Sequence, residues 1–338
     1  MTLRQAQGEQ KLGVIGAGAW GTALAQMLAH DGSDVLIWAR EPEVVAAINA
    51  DRRNPLFLPD APIAPSLIAT GNLADLASIP IILLVTPAQH LGAVLGQLPR
   101  PGECDLVLCS KGIEAGSGRL MADVARDAAP DCRLAVLSGP TFAHEVAAGL
   151  PTAVTLACAG GEAQWQRLSQ AMARPSFRLY YSDDVTGAEI GGAVKNVLAI
   201  ACGVVDGLKL GQNARAALIS RGFAEMLRFG IALGARAETL SGLSGLGDLV
   251  LTCSSTASRN YSLGKALGEG AAAADVLANR STVAEGAHTA PVLAAIARAR
   301  GIDMPIVEGV CALLDGTAPA REVVARLLAR PLRAEQGD

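Results

Sequence analysis

Lys195 stands at the head of an apolar run, because Asn196 is followed by nine uncharged residues, Val197 to Val205. A lysine so placed can snorkel to water, pair with a carboxylate, or serve as an acid or base. Burial disfavours the ammonium form and draws the lysine pKa toward neutrality, where proton transfer is most effective. Further along lies Gly245-Leu246-Gly247-Asp248-Leu249-Val250-Leu251-Thr252. Asp248 and Thr252 are four residues apart and therefore share a helix face. Asp248 can orient an ammonium or a substrate hydroxyl. Ser258-Arg259-Asn260 combines a hydroxyl, a guanidinium fork and an amide, a donor set suited to phosphate. The same triplet also reads as an ordinary helix start with Ser258 as N-cap. Ser110-Lys111-Gly112 and Ser138-Gly139-Pro140-Thr141 each follow a β-rich run, where parallel sheets collect ligands.

A second chemistry is written near the amino terminus. Gly16-Ala17-Gly18-Ala19-Trp20-Gly21 follows an apolar run and opens a helical pattern. In that setting Gly16 permits a tight turn, Gly18 admits a pyrophosphate, and Gly21 allows close helix–strand packing. The helix start then offers free N–H groups and positive dipole to the phosphates. Downstream, Val35-Leu36-Ile37-Trp38-Ala39-Arg40-Glu41 ends the next β-rich run. Arg40 there can pair with a 2′-phosphate and so accepts NADP(H), while Glu41 keeps NAD(H) in play.

The elements that must position these residues divide the chain in two. Leu12–Ile15, Val35–Trp38, Ile81–Val85, Leu106–Cys109, Leu134–Leu137, Ala153–Leu156 and Phe177–Tyr181 read as strands. Helical spacing lies between most of them, as in Gly21–Ala29, Pro42–Ala50 and Leu120–Ala128. This alternation predicts a doubly wound, largely parallel α/β sheet. After about Asp184 helix formers dominate, and Pro291, Pro305 and Pro319 are expected in first helical turns, with Gly301 at a helix end. The expected organisation is a dinucleotide-binding domain over residues 1–187 and a helical domain over residues 188–338.

Composition narrows the function classes. The 338 residues carry a net charge of −4, which argues against a nucleic-acid footprint. Mean hydropathy is +0.34, yet the nine-residue apolar run is too short to span a bilayer. Leu12 to Ala29 follows Arg4 and Lys11 and carries an A-x-A look-alike at Ala23–Ala25, as a signal peptide would. Its glycines weaken that reading. Seven scattered cysteines without C-x-x-C, and four histidines without ligand spacing, exclude a disulfide framework and a zinc site. His90 and His144 follow strand ends and are weighed as structural. A cytoplasmic location is expected.

Together these residues resemble the bacterial-type NAD(P)-dependent glycerol-3-phosphate dehydrogenases. The resemblance rests on GAGAWGTALA, FLPD, SKGIE, SGPTFAHEVAAGLPTA, GGAVKNVLAI, NARAALI, GLGDLVLTC, SRN and VAEG, running from Gly16 to Glu285. It implies a Rossmann domain joined to an all-α domain like that of 6-phosphogluconate dehydrogenase. It also implies reversible reduction of dihydroxyacetone phosphate to sn-glycerol 3-phosphate, supplying glycerophospholipid synthesis. By motif match, Lys195 is the acid–base residue, with Asn196, Asp248 and Thr252 around it. Lys111, Gly139, Thr141, Ser258, Arg259 and Asn260 then hold the substrate. Ala19, Trp20, Arg40, Phe57, Lys111, Ala143, Arg259, Val283 and Glu285 contact NADP(H) or NAD(H), alongside the glycine loop. No metal, nucleic acid or membrane span is expected, and a homodimer is the assembly considered. His144 departs from the family pattern, where lysine is expected.

Overall fold

The computed structural model describes residues 12–99, 103–278 and 284–331. Eight strands form one sheet: β1 (Leu12–Ile15), β2 (Val35–Trp38), β3 (Leu67–Thr70), β4 (Ile81–Leu84), β5 (Asp105–Leu108), β6 (Arg133–Ser138), β7 (Thr152–Cys158) and β8 (Phe177–Ser182). Their spatial order is β3-β2-β1-β4-β5-β6-β7-β8. Every pairing is parallel except the antiparallel β6–β7. The first six helices accompany the sheet: α1 (Ala19–Ala29), α2 (Pro42–Asp51), α3 (Leu91–Leu95), α4 (Met121–Ala128), α5 (Ala143–Ala147) and α6 (Gly161–Met172). Two apolar clusters sandwich the sheet, one including Val14, Ile37, Leu83 and Val107, the other Ile15, Ile82, Leu84 and Leu106. Because both faces are covered, the central strands are continuously apolar and do not alternate. The strand order reverses between β1 and β4, and such a switch point leaves a crevice at the carboxyl ends of the strands.

Beyond β8 the described residues are helical: α7 (Val185–Gly207), α8 (Gly211–Ala232), α9 (Ala237–Ser241), α10 (Asp248–Thr252), α11 (Arg259–Gly268), α12 (Ala273–Ala278), α13 (Glu285–Ala299), α14 (Pro305–Leu314) and α15 (Ala320–Leu328). The axis of this part is α7. Its nine-residue apolar run, Val197 to Val205, is part of a longer helix, and these 23 residues are long and apolar enough, by length and composition, to cross a membrane. Here its hydropathy serves a different end, because its most apolar window is wholly buried inside the fold. Helices α8, α10, α11, α13 and α14 pack around it. The closest approach is to α11, where a Cβ on Gly203 would fall 2.0 Å from the Tyr261 carbonyl oxygen and one on Gly264 would fall 1.9 Å from that of Ile200. Only glycine permits backbones this near.

Two expectations need correction. β3 was not among the strands read from sequence: it has only four residues and pairs on one side alone, with β2. Pro291 lies inside α13, not in its first turn. The turn before it is anchored from outside, because the Gly286 N–H donates to Asn260 Oδ1 at 2.9 Å. Pro305 does occupy a first turn, and Pro319 precedes α15 as its N-cap.

Two helices are capped from a distance. α4 has no side-chain cap of its own, and buried Glu189 on α7 supplies one by accepting the Ala122 N–H at 2.8 Å. Glu225 on α8 does the same for α14, accepting from Ile306 and Val307 at 2.8 and 3.3 Å. Burial raises the Glu189 carboxyl from 4.5 to about 8, despite the hydrogen bond from Ala122. The folded protein therefore retains a proton that the unfolded chain releases between pH 4.5 and about 8. The resulting stability is complete below the unfolded pKa and is lost as pH rises through the folded one. Glu189→Gln keeps the acceptor without the charge. Its Tm should match wild type at pH 4 and exceed it by a few degrees at pH 9. Thermal melts that show a pH-independent offset, or a more stable wild type at pH 9, contradict this assignment.

Candidate active site

The site is built where α7 and α10 face the carboxyl ends of β5 and β6. Lys195 lies midway along α7 and is 5% exposed, while Asp248, the first residue of α10, is wholly buried. The Lys195 ammonium donates to Asp248 Oδ1 at 2.5 Å and to Thr252 Oγ1 at 3.0 Å. The other carboxylate oxygen, Oδ2, accepts from Lys111 Nζ at 2.7 Å. Lys111 also reaches the Gly139 carbonyl at 3.3 Å, an acceptor it shares with the Thr141 hydroxyl. One carboxylate thus lies between two ammonium groups. A single π turn, Leu243–Gly247, delivers Asp248 into this position. It packs so closely on α7 that a Cβ at Gly191 would fall 2.3 Å from the Ser244 carbonyl oxygen. Such π turns are concentrated at functional sites.

Burial pulls the Lys195 pKa down to about 8, with the Lys111 charge adding to the fall and Asp248 opposing it. An ammonium carries three N–H donors, and Asp248 and Thr252 use two of them. The third is available to a substrate oxygen. Arg259, exposed at the start of α11, and Glu285, at the start of α13, complete the electrostatics. Burial raises the Glu285 carboxyl, while Arg259, Lys111, Lys195 and the Ala88 N–H all stabilise its charge. The cations Lys111, Lys195 and Arg259 therefore exceed the carboxylates Asp248 and Glu285 by one charge, a balance that suits an anionic ligand.

Ser258 and Asn260 occupy more structural positions than a phosphate-donor reading implies. The Ser258 hydroxyl caps α11 by accepting the Tyr261 N–H at 3.3 Å. Asn260 joins three elements, donating to Asn196 Oδ1 at 2.9 Å and accepting the Gly286 N–H at 2.9 Å. The capping alternative for Ser258 describes what it does here, and one amide hydrogen of Asn260 remains for a ligand.

The residues at the glycine loop suit a dinucleotide. Gly16 has φ +110°, and a Cβ on Gly21 would fall 1.8 Å from the Gly16 carbonyl oxygen, whereas one on Gly18 would meet nothing within 4 Å. Turn, close packing and open approach are thus divided among the three glycines. α1 starts with no side-chain cap and no acidic residue in its first turn, leaving its positive end to an anion. Ala19 and Trp20 form that first turn, and Phe57 and Ala143 pack half-buried beside the same apolar cluster. Among the described residues, buried Thr86 Oγ1, just past β4, and Ser138 Oγ, at the end of β6, have no hydrogen-bond partner. Ser138 belongs to the Ser138-Gly139-Pro140-Thr141 stretch singled out in the sequence, whereas Thr86 escapes sequence reading, since a lone threonine after a strand gives no local signal. Arg40 sits just past β2 with its side chain 77% exposed, paired with Glu41 at 2.8 Å. Val283 lies outside the described residues. His144 is 64% exposed, 3.9 Å from Glu145 and stacked on Phe142, so it belongs to the surface. No group of histidines, cysteines and carboxylates suited to a metal occurs among the described residues.

Comparison with known proteins shows the family of the chain. Models of the NAD-dependent glycerol-3-phosphate dehydrogenase N-terminus and C-terminus match residues 11–164 and 184–325. The chain belongs to the NAD-dependent glycerol-3-phosphate dehydrogenase family. A relative from Novosphingobium aromaticivorans, named glycerol-3-phosphate dehydrogenase [NAD(P)+], is 77% identical over 96% of this chain and 98% of its own. A relative of the same name from Erythrobacter litoralis is 71% identical over the same shares. The crystal structure of glycerol-3-phosphate dehydrogenase from Coxiella burnetii superposes with a TM-score of 0.89 at 39% identity, covering 95% of this chain and 99% of that one. The Rossmann sheet followed by an all-helical part is thus the architecture of this dehydrogenase family.

Proposed function

We propose that this protein reversibly reduces dihydroxyacetone phosphate to sn-glycerol 3-phosphate with NADPH or NADH. The observation that carries the reading is Asp248 held between Lys195 and Lys111, with an excess of cationic charge around it. Residues 1–187 are the cofactor-binding domain and residues 188–338 the helical substrate and catalytic domain, with Lys111, Gly139 and Thr141 reaching the substrate from the first and Glu285 reaching the cofactor from the second. Gly16, Gly18, Ala19, Trp20 and Gly21 would hold the pyrophosphate, with Arg40, Phe57, Ala143 and Glu285 along the rest of the cofactor. When bound there, the nicotinamide would supply the hydride for the substrate's middle carbon. Lys195 donates its proton to the oxygen on that carbon and recovers one in the reverse direction. Asp248 and Thr252 orient the ammonium. Lys111, Gly139, Thr141, Ser258, Arg259 and Asn260 hold the substrate, with Arg259 on the phosphate. We place the enzyme in the cytoplasm as a source of glycerol 3-phosphate for glycerophospholipids, and a homodimer is the assembly to test by sedimentation.

The decisive assay follows NADPH oxidation by the purified protein with dihydroxyacetone phosphate, using unphosphorylated dihydroxyacetone as control. Rapid turnover of the phosphorylated ketone and very slow turnover of the other are expected. Absence of turnover with either cofactor would remove the assignment. Arg40 supplies a cofactor test. Arg40→Asp exchanges an attractive for a repulsive charge beside the 2′-phosphate, so the NADPH KM should rise at least tenfold more than the NADH KM. Equal changes for the two cofactors would place Arg40 away from the 2′ position.

A further inference from the structure

We infer that Asn54 is the positioning residue of the glycine loop, setting which way the Ala17–Gly18 peptide faces. The inference rests on the dinucleotide reading of that loop and adds the residue that aims it. Asn54 lies in the connection between α2 and β3, far from the loop in sequence, yet it is wholly buried. Its amide nitrogen donates to the Ala17 carbonyl at 2.8 Å and to Thr22 Oγ1 at 2.7 Å. The Thr22 hydroxyl, also wholly buried, donates onward to the same carbonyl at 3.1 Å. The Asn54 amide oxygen accepts the Phe57 N–H at 3.2 Å. Both amide hydrogens and the oxygen are thereby used, and no other side chain of this size offers two donors beside an acceptor.

The consequence follows from peptide geometry. No described peptide bond is cis, and in a trans peptide the C=O and N–H point in opposite directions. With the Ala17 oxygen pinned inward by Asn54 and Thr22, the Gly18 N–H is turned outward. That is the side on which a Cβ at Gly18 would meet nothing within 4 Å. Flipping the peptide would present an oxygen to the phosphates in place of a donor. The pin also ties Phe57, three residues on, to the same loop. The connection carrying both is stitched to α1 at two further points. Gln26 accepts the Ala64 N–H at 2.7 Å, and the Ser66 hydroxyl donates to the Ala29 carbonyl at 3.0 Å. The pin is therefore anchored to the helix whose amino end it serves.

Asn54→Asp preserves shape but removes both donors and sets a carboxylate against the Ala17 carbonyl. The Kd for NADPH and for NADH, read by fluorescence titration, should rise by a common factor of at least about tenfold. The KM for dihydroxyacetone phosphate, and kcat at saturating cofactor, should stay within about twofold of wild type, since the side-chain hydrogen bonds of Asn54 run to Ala17, Thr22 and Phe57 and not to Lys195 or Arg259. Thr22 gives a second, milder test. Thr22→Val should weaken both cofactors, whereas Thr22→Ser, which keeps the hydroxyl, should restore them. A purely structural role would lower Tm in these variants without separating cofactor affinity from kcat. The inference fails if folded Asn54→Asp binds both cofactors as wild type does, or if Thr22→Val and Thr22→Ser behave alike. Should Asn54→Asp not fold, the Thr22 pair decides. Failure of the underlying reading is distinct, because wild-type protein itself would then bind neither cofactor.

Discussion

Lys195→Met is expected to lower kcat for ketone reduction by on the order of 10²–10⁴ while leaving cofactor affinity near wild type. Methionine fills the space among the apolar neighbours on α7 and carries no proton. The substitution does not strand a charge, because Asp248 keeps its bond to Lys111 at 2.7 Å. Fold and cofactor site should therefore survive, and the loss should fall on kcat. The wild-type pH profile gives an independent check. Since Lys195 titrates at about 8, reduction, which needs the ammonium, should fall as pH rises through that value. Oxidation, which needs the free amine, should rise. Near-normal turnover in Lys195→Met, or a wild-type profile with no such crossing, would remove Lys195 from the acid–base role.

Asp248→Asn should reduce kcat/KM by about 10²–10³, because the Lys195 ammonium loses the carboxylate that orients it, and breaking a buried ion pair from one side should also cost about 3–5 kcal/mol of stability. The amide can accept from one ammonium but presents an N–H₂ group to the other, leaving Lys111 or Lys195 without its anion. The more telling result lies in the pH profile. Burial and the neighbouring Lys111 lower the Lys195 pKa, and the attraction of Asp248 opposes them. With that attraction gone, Lys195 should lose its proton at lower pH, moving the fall in reduction rate to lower pH. Tm should drop as well, since buried Lys195 and part-buried Lys111 then face each other with no anion between them. A variant that loses stability but keeps the wild-type pH dependence would show Asp248 holding the fold together without tuning the proton donor.

The parts of this molecule that were legible in the sequence are those fixed by short-range rules. Continuous apolar strands alternating with helical spacing announced the doubly wound sheet. Gly16, Gly18 and Gly21 announced the loop, because backbone sterics leave few other uses for glycines at that spacing after a strand. Lys195 stood out for the same local reason, as a charge entering an apolar helix. β3 was missed because four residues paired on one side carry too little pattern. Pro291 misled because its helix start is held by Asn260 from another element.

Tertiary structure alone decided which groups meet. Lys195 and Asp248 are 53 residues apart, and Lys111 and Asp248 are 137 apart. Nothing in their neighbourhoods said that one carboxylate would serve two lysines. Ser258 and Asn260 were named for a ligand by type, but their partners Tyr261, Asn196 and Gly286 were set by how α7, α11 and α13 pack. Asn54 and Glu189 gave no sign at all, because an asparagine in a loop and a glutamate in a helix are ordinary on local grounds. Their importance arises from burial: once water is excluded, each polar atom must find a partner inside the protein. Local sequence sets which elements form, and the long-range packing that seals them from water sets which side chains must bond to one another.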